Sequence, residues 1–370
     1  MARRALSLPF AVPLATVQSI AIVVEIGINR VRCESLSLAV NKTDESYQFG
    51  WFDWVCLWYP PGWLILFNRH WQHYKSDPDG WNGLEYLLFL IPGGFYLALL
   101  MRWLRLGCRS PRSQSSQPDL HYQQLFRDEI LTPIATRFFR AELHQLENLP
   151  DVPSAIVTLN HAGMCFPWDF LCLGVLLGQK QGWNVQPIAH PIFFDHPWLV
   201  WWVPRGWAQT LGGVRAEKES FEHALSQQKT VLLYAPESWR GLAKGWRDRY
   251  DLATFDPSFM RLSVQSQVPI LPVICLGSEY LHPWTHNSKR LARWLKMPLF
   301  PISPLLFMFL LFPSMGAWAM RTRLRYHVQP IQHPWKRSSL QKNESARSQS
   351  YRQAEELRAE MQKELDRLRN

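Results

Sequence analysis

The chain has 370 residues, 47% of them hydrophobic, with 19 Trp and a formal charge of +10 from 40 Lys+Arg against 30 Asp+Glu. That composition excludes a disordered or linker-like protein, and a charged fraction of 19% points to a surface that does not face water everywhere. Cys33, Cys56, Cys108, Cys165, Cys172 and Cys275 are too sparse for a disulfide framework or a zinc ribbon, while the basic balance fits nucleic acid or an anionic leaflet.

Residues 1–110 read as an apolar, membrane-associating region. Ala5–Ile28 is mostly apolar behind Arg3 and Arg4, without a small-x-small cleavage site, and predicts an uncleaved membrane-associated helix. Trp51–Phe67 carries Trp51, Trp54, Trp58, Tyr59 and Trp63 around Pro60-Pro61. This density suits the headgroup interface, with an aromatic core cluster as the alternative. Leu84–Met101 has Glu85 as its one charge and Pro92-Gly93-Gly94 at its centre, so it predicts either one short transmembrane helix or two half-helices. Arg102, Arg105, Arg109 and Arg112 follow and would place that end, and the active site, on the cytoplasmic side. Residues 111–118 read as a linker.

Residues 119–335 have the pattern of one α/β domain. A helical stretch at 120–139 is interrupted by Pro133, and alternating apolar positions follow at Phe139, Ala141 and Leu143. Apolar β runs occupy 155–159, 185–189, 231–234 and 270–276, with helical patterns at 167–178, 219–228 and 258–267 and a last strand at 321–328. This alternation predicts a mostly parallel β-sheet flanked by helices. Pro298–Met320 is apolar but holds four prolines. It predicts a surface segment dipping into lipid, with a transmembrane hairpin as the alternative. Residues 336–370 read as a charged helical tail with one narrow apolar stripe at Leu357, Met361, Leu365 and Leu368, more in keeping with a solvated tail than with a partner helix.

The chemistry concentrates where the first of these β runs ends, at Asn160-His161. Pro167 is a good opening residue for a helix, so His161 falls in the loop at a strand's carboxyl end, where open α/β sheets bind ligands. Asp169 falls in the first turn of the following helix. A histidine held by a carboxylate is a general base: the Asp fixes the tautomer and stabilises the imidazolium. An exposed loop histidine and an aspartate serving the helix dipole is the plainer alternative.

Three further elements follow in order. Gly212-Gly213-Val214-Arg215-Ala216-Glu217-Lys218 precedes a helix, Tyr234-Ala235-Pro236-Glu237-Ser238-Trp239-Arg240 closes a β run, and Val268-Pro269-Ile270-Leu271-Pro272-Val273 opens another. Together with Asn160-His161…Asp169, over about 138–335, they resemble the four motif blocks of the glycerolipid acyltransferase superfamily, which includes lysophosphatidate acyltransferases and mono- and diacylglycerol acyltransferase-like enzymes. The resemblance implies His161 and Asp169 as catalytic residues and Lys218, Glu237, Ser238, Trp239 and Arg240 as substrate-binding residues. Asn160, Gly213, Pro236, Pro269 and Pro272 would be structural members of the motifs. The departures are seven residues between His161 and Asp169 where the family has four, Lys218 for Arg, and Ser238-Trp239 for Gly-Thr. Trp239 could narrow a phosphate site or line a pocket for an acceptor without phosphate.

The implied reaction moves a fatty acyl group from an acyl thioester, acyl-CoA or acyl carrier protein, to a lipid alcohol at a bilayer. A neutral, diacylglycerol-like acceptor is slightly favoured, with lysophosphatidate as the alternative and a silent lipid-binding scaffold of the same fold as a third reading. No resident cofactor and no metal are expected. His70-x-x-His73 and His282-x3-His286 lack a second carboxylate or thiol pair. No nucleic-acid partner is expected, because the basic clusters at 102–112 and 289–296 adjoin apolar segments and read as headgroup contacts. Cys165 reads as a packing residue. Gly-x-Ser-x-Gly, Gly-x4-Gly-Lys-Ser/Thr and Gly-x-Gly-x-x-Gly are absent from the sequence.

Overall fold

The computed structural model describes residues 46–112, 117–162, 166–181, 183–191, 194, 199–226, 230–294, 300–337 and 345–370. Met1–Ser46 and Tyr47–Asn370 divide as two units. The helix expected at Ala5–Ile28 lies outside the described residues, and the elements below all belong to the second unit.

Nine strands form among the described residues: β1 Glu142–His144, β2 Ala155–Leu159, β3 Asn184–Ala189, β4 Val214–Arg215, β5 Thr230–Tyr234, β6 Ile270–Leu276, β7 His286–Asn287, β8 Pro301–Ile302 and β9 Arg325–Val328. Seven make one sheet in the order β1-β9-β6-β2-β5-β3-β4, and β7 pairs with β8 apart from it. Within the large sheet β6–β9 runs antiparallel and the other neighbours run parallel. The central strands β2 and β6 are buried along their whole length, which is why they read as unbroken apolar runs rather than alternations. Pro272 sits where the β6–β9 ladder stops. Gln329 N–H donates to Pro272 O at 2.9 Å, and proline has no N–H to return.

The pleat sends alternate residues to two cores. Val157, Leu233 and Val273 face one, and Ile156, Leu232 and Ile270 face the other. The first is filled by helix α6 (Trp168–Gln181), by α5 (Leu120–Phe126) and by the amino-terminal helices α1 (Trp51–Trp58), α2 (Trp63–Lys75), α3 (Gly83–Phe89) and α4 (Gly94–Arg105). The second is filled by α7 (Lys218–Ser226), α8 (Ser258–Ser266) and the carboxyl-terminal helix α10 (Ala346–Arg369), whose Ala354, Leu357, Met361 and Leu365 are buried. The apolar stripe of the last helix is therefore a packing face, not the solvated tail that its sequence suggests. A single unit from Tyr47 to Asn370 also means that residues 47–110 and 119–335 share one core.

The expectation of a spanning helix needs correction, and Leu84–Met101 takes its half-helix alternative. No described helix is long and apolar enough to cross a membrane. Leu84–Met101 is split into α3 and α4, with Gly93 at φ +73 in the turn between them, a backbone that glycine adopts without strain. The 12 residues of α4 extend about 18 Å, against ~30 Å of hydrocarbon. Pro60-Pro61 likewise breaks the aromatic segment between α1 and α2. Trp63 is fully buried while Trp51 and Trp58 are exposed, so the aromatic core takes only part of that segment. Pro298–Met320 forms, among its described residues, the two-residue strand β8, the short helix α9 (Leu306–Leu311) and a 3-10 turn at Pro313–Ala317, not a spanning hairpin. The arginines in the last turn of α4 and just after it bond to the protein. Arg102 donates to Asp79 O and Trp201 O, Arg105 pairs with Glu85, and Arg109 pairs with Asp79.

Candidate active site

Asn160 ends β2 by closing a two-way bridge to β6: its Nδ2 donates to Cys275 O at 3.1 Å and Cys275 N–H donates to its Oδ1 at 2.7 Å. This locks the carboxyl end of the central strand and sets His161 beside the start of α6. The middle of the intervening loop, with Cys165, lies outside the described residues. His161 Nδ1–H donates to Asp169 Oδ2 at 2.9 Å, both side chains being buried. The longer spacing is thus accommodated, since Asp169 stands in the first turn of α6. That turn is itself anchored. Trp168 packs edge-on against Trp63 with ring centroids 4.6 Å apart and donates from Nε1 to Ala317 O. Tyr326 Oη–H from β9 donates to Asp169 O at 2.6 Å, and Phe170 N–H donates to Asp169 Oδ1 at 2.9 Å.

Burial favours the neutral form of His161, but the Asp169 charge and hydrogen bond, with the Glu237 charge, outweigh it and raise its pKa above the ordinary imidazole value. With Nδ1–H committed to Asp169, the tautomer leaves the Nε2 lone pair for a substrate proton. The nearby thiols Cys172 and Cys275 are pushed well up by burial, the opposite of an activated nucleophile.

The other motif residues divide. Glu237 has no exposed surface. Its Oε1 accepts from His161 N–H at 3.0 Å, its Oε2 accepts from Ala253 N–H at 2.7 Å, and Lys244 Nζ lies 2.7 Å from the same oxygen. It sits behind the histidine as a positioning group, and its cation is Lys244 rather than Arg240. Pro236 O accepts from Asp256 N–H, and Pro269 O accepts from Ile156 N–H, fixing the β6–β2 register. Ser238 holds φ +51, ψ −139, a left-handed backbone suited to the glycine that the motif carries here. Trp239 is half-buried, with its ring 4.6 Å from that of His190, and Arg240 is exposed. Lys218 opens α7, and its side chain lies outside the described residues.

A cavity of about 530 Å³ opens against His161. Phe170, Leu171, Val185 and Leu233 line it, Ser238 and Trp239 stand on its border, and Gly174, Gly178 and Gly213 leave it room. A Cβ on Gly174 would meet Leu233 Cδ1 at 3.2 Å, and one on Gly213 would meet Ala208 O at 2.9 Å. Its shape and mostly apolar lining match a small-molecule or acyl-chain site.

Two residues of this site carry little or no sequence signal. Lys244 follows the third motif by no recognisable spacing. Gly241 packs its Cα face against Glu237 and His161, and a Cβ there would come to 2.8 Å from Glu237 Cβ and 3.1 Å from His161 Cβ. A glycine one helical turn after a motif glutamate is its only mark in the sequence. His70, weighed for metal, bonds instead to Tyr122 Oη at 3.1 Å and Glu129 Oε2 at 2.9 Å, and His282 Nε2 bonds to Trp318 O.

Residues 140–276 match the family model described as Acyltransferase. Uncharacterized proteins of Mycobacterium bovis and Mycobacterium tuberculosis are each 30% identical over 190 residues, 50% of this chain and 51% of theirs. One of Mycobacterium leprae is 30% identical over 187 residues, 49% of each. The chain therefore spans about half the length of these relatives. Among solved structures, the 1-acyl-sn-glycerophosphate (LPA) acyltransferase of Thermotoga maritima is similar at 17% identity and a TM-score of 0.40, over 77% of this chain and 95% of that one. Through residues 140–276 the chain is similar to the Acyltransferase family.

Proposed function

We propose that this protein transfers a fatty acyl group from an acyl thioester, acyl-CoA or acyl carrier protein, to the hydroxyl of a lipid alcohol. His161 acts as general base and Asp169 holds its ring. The observation that carries this reading is the 2.9 Å His161–Asp169 contact at the wall of an apolar cavity. Nε2 takes the hydroxyl proton as the alcohol oxygen forms its bond to the thioester carbonyl. The carbon–sulfur bond then breaks, and the sulfur leaves with the proton returned by the imidazolium. A water-poor cavity disfavours hydrolysis of the thioester.

A neutral, diacylglycerol-like acceptor is the favoured substrate. Trp239 stands beside the cavity where the family has a threonine, and Lys244, a buried cation close to His161, is committed to Glu237. Supplying labelled acyl thioester with diacylglycerol or with lysophosphatidate in separate reactions tests this. Triacylglycerol as product supports the neutral acceptor, and phosphatidate as the one product rejects it.

The same reading takes the substrate from a bilayer. Leu84, Leu87, Leu97 and Leu100 on α3 and α4 are exposed, as are Phe307 and Leu310 on α9. Gly93 N–H donates to Leu311 O and Tyr96 Oη–H donates to Leu310 O, so the two segments adjoin. An apolar surface of this kind supports docking on lipid without a spanning helix.

A further inference from the structure

The carboxylate of Glu237 joins three pieces of chain that are distant in sequence. Oε1 holds the backbone N–H of His161. Oε2 holds the backbone N–H of Ala253 and the ammonium of Lys244. The 250–253 segment is in turn clamped by the last helix: Leu252 N–H donates to Gln362 Oε1 at 2.7 Å, and Gln362 Nε2–H donates to Tyr250 O at 3.0 Å. Lys244 and Glu237 are both buried, so their charges act on His161 with little screening by water.

We infer that Lys244 is a positioning residue of this site. It fixes the Glu237 carboxylate that carries the His161 main chain and offsets the second negative charge facing the imidazole. The inference rests on His161 being the base. Two carboxylates act on that ring, Asp169 from α6 and Glu237 from the segment after β5, and both favour the protonated, non-basic form. Lys244 acts in the opposite direction. The other titratable or charged groups around them are Cys172 on α6, Cys275 and Glu279 at the end of β6, Tyr326 on β9, and Arg358 on α10, a partly exposed cation that acts on Glu237 and donates to Leu252 O at 3.2 Å. The thiols and the phenol are held neutral by burial, and the Glu279 carboxyl is pushed up to about 7 by the same cause. Lys244 is thus the cation that keeps the ring available as a base near neutral pH.

The test is the pH dependence of kcat and kcat/KM for acyl transfer by the full chain and its Lys244→Met variant. Lys244→Met is expected to move the acid limb up by about one pH unit, the scale of an unscreened neighbouring charge, with kcat on the acid limb falling about tenfold and KM little changed. Because a lone buried carboxylate can prevent folding, the Lys244→Met/Glu237→Gln variant removes both charges together. Its limb is expected at or below the wild-type pH. A Lys244→Met limb at the wild-type pH, or a double-variant limb above it, overturns the inference. His161→Ala, run alongside, separates the two failures. Full activity in that variant sinks the assignment of the base, whereas its inactivity with an unmoved Lys244→Met limb sinks only the role of Lys244.

Discussion

Replacing Asp169 with Asn removes one charge and almost no volume, and the surrounding bonds set the consequences. Each carboxylate oxygen accepts one N–H, Oδ2 from His161 Nδ1 and Oδ1 from Phe170. An amide has a single oxygen. If it stays on Phe170 N–H, the amide nitrogen faces Nδ1, and the imidazole must carry its proton on Nε2, the atom that has to accept one. If it turns to the ring, the Phe170 N–H is left unpaired. The lost charge matters as much. At about 4 Å between charge centres and an effective dielectric near 20, the carboxylate attracts an imidazolium by about 4 kcal/mol. Losing even half of that costs well over tenfold in the step that forms the imidazolium, and the tautomer change adds to it. The expected result is a loss of about 10²–10⁴-fold in kcat, together with an acid limb moved to lower pH, since Asp169 is what raises the proton affinity of His161. Stopped-time assays from pH 5 to 9, with circular dichroism to confirm folding, would measure both. A folded Asp169→Asn variant with the wild-type rate and limb would refute the reasoning.

Other perturbations have equally definite outcomes. Gly241→Ala puts a methyl group 2.8 Å from Glu237 Cβ and 3.1 Å from His161 Cβ; it should lower the unfolding free energy by about 1–3 kcal/mol and depress kcat, as read by urea titration and the transfer assay. Ser238→Gly relieves the left-handed backbone at φ +51 and should stabilise the protein by about 1 kcal/mol, visible as a higher melting temperature. Met361→Ala in the last helix should cost about 2–5 kcal/mol; a change below about 0.5 kcal/mol would mean that α10 does not pack on the sheet. The double change Leu100→Asp/Phe307→Asp should leave the fold intact and reduce sedimentation with phospholipid vesicles severalfold, because both side chains are exposed.

The strands are legible in the sequence because burial on both faces writes itself as short β-branched and leucine runs between turn residues. Ala155–Leu159 and Ile270–Leu276 have the same bounds in the sequence pattern and in the structure. His161 and Asp169 can be named for the same local reason, a strand end followed by a proline-led helix. The features that stay hidden depend on packing between distant segments. The stripe on α10 is narrow because it needs to cover only β6 and α8, and a narrow stripe looks the same on a free helix. The apolar stretch 47–110 looks like lipid-facing chain because a shared aromatic core has the same composition; only position separates buried Trp63 from exposed Trp51. Lys244 and Ala253 reach Glu237 from a loop with no periodicity, so no spacing announces them.

The proposed acyl transfer depends on the imidazole at the end of β2. Purified full-length protein and its His161→Ala variant, matched for folding, should be compared for acyl transfer from acyl-CoA to diacylglycerol. A drop of at least about 10²-fold is the predicted result. A well-folded His161→Ala protein that turns over at the wild-type rate would contradict it.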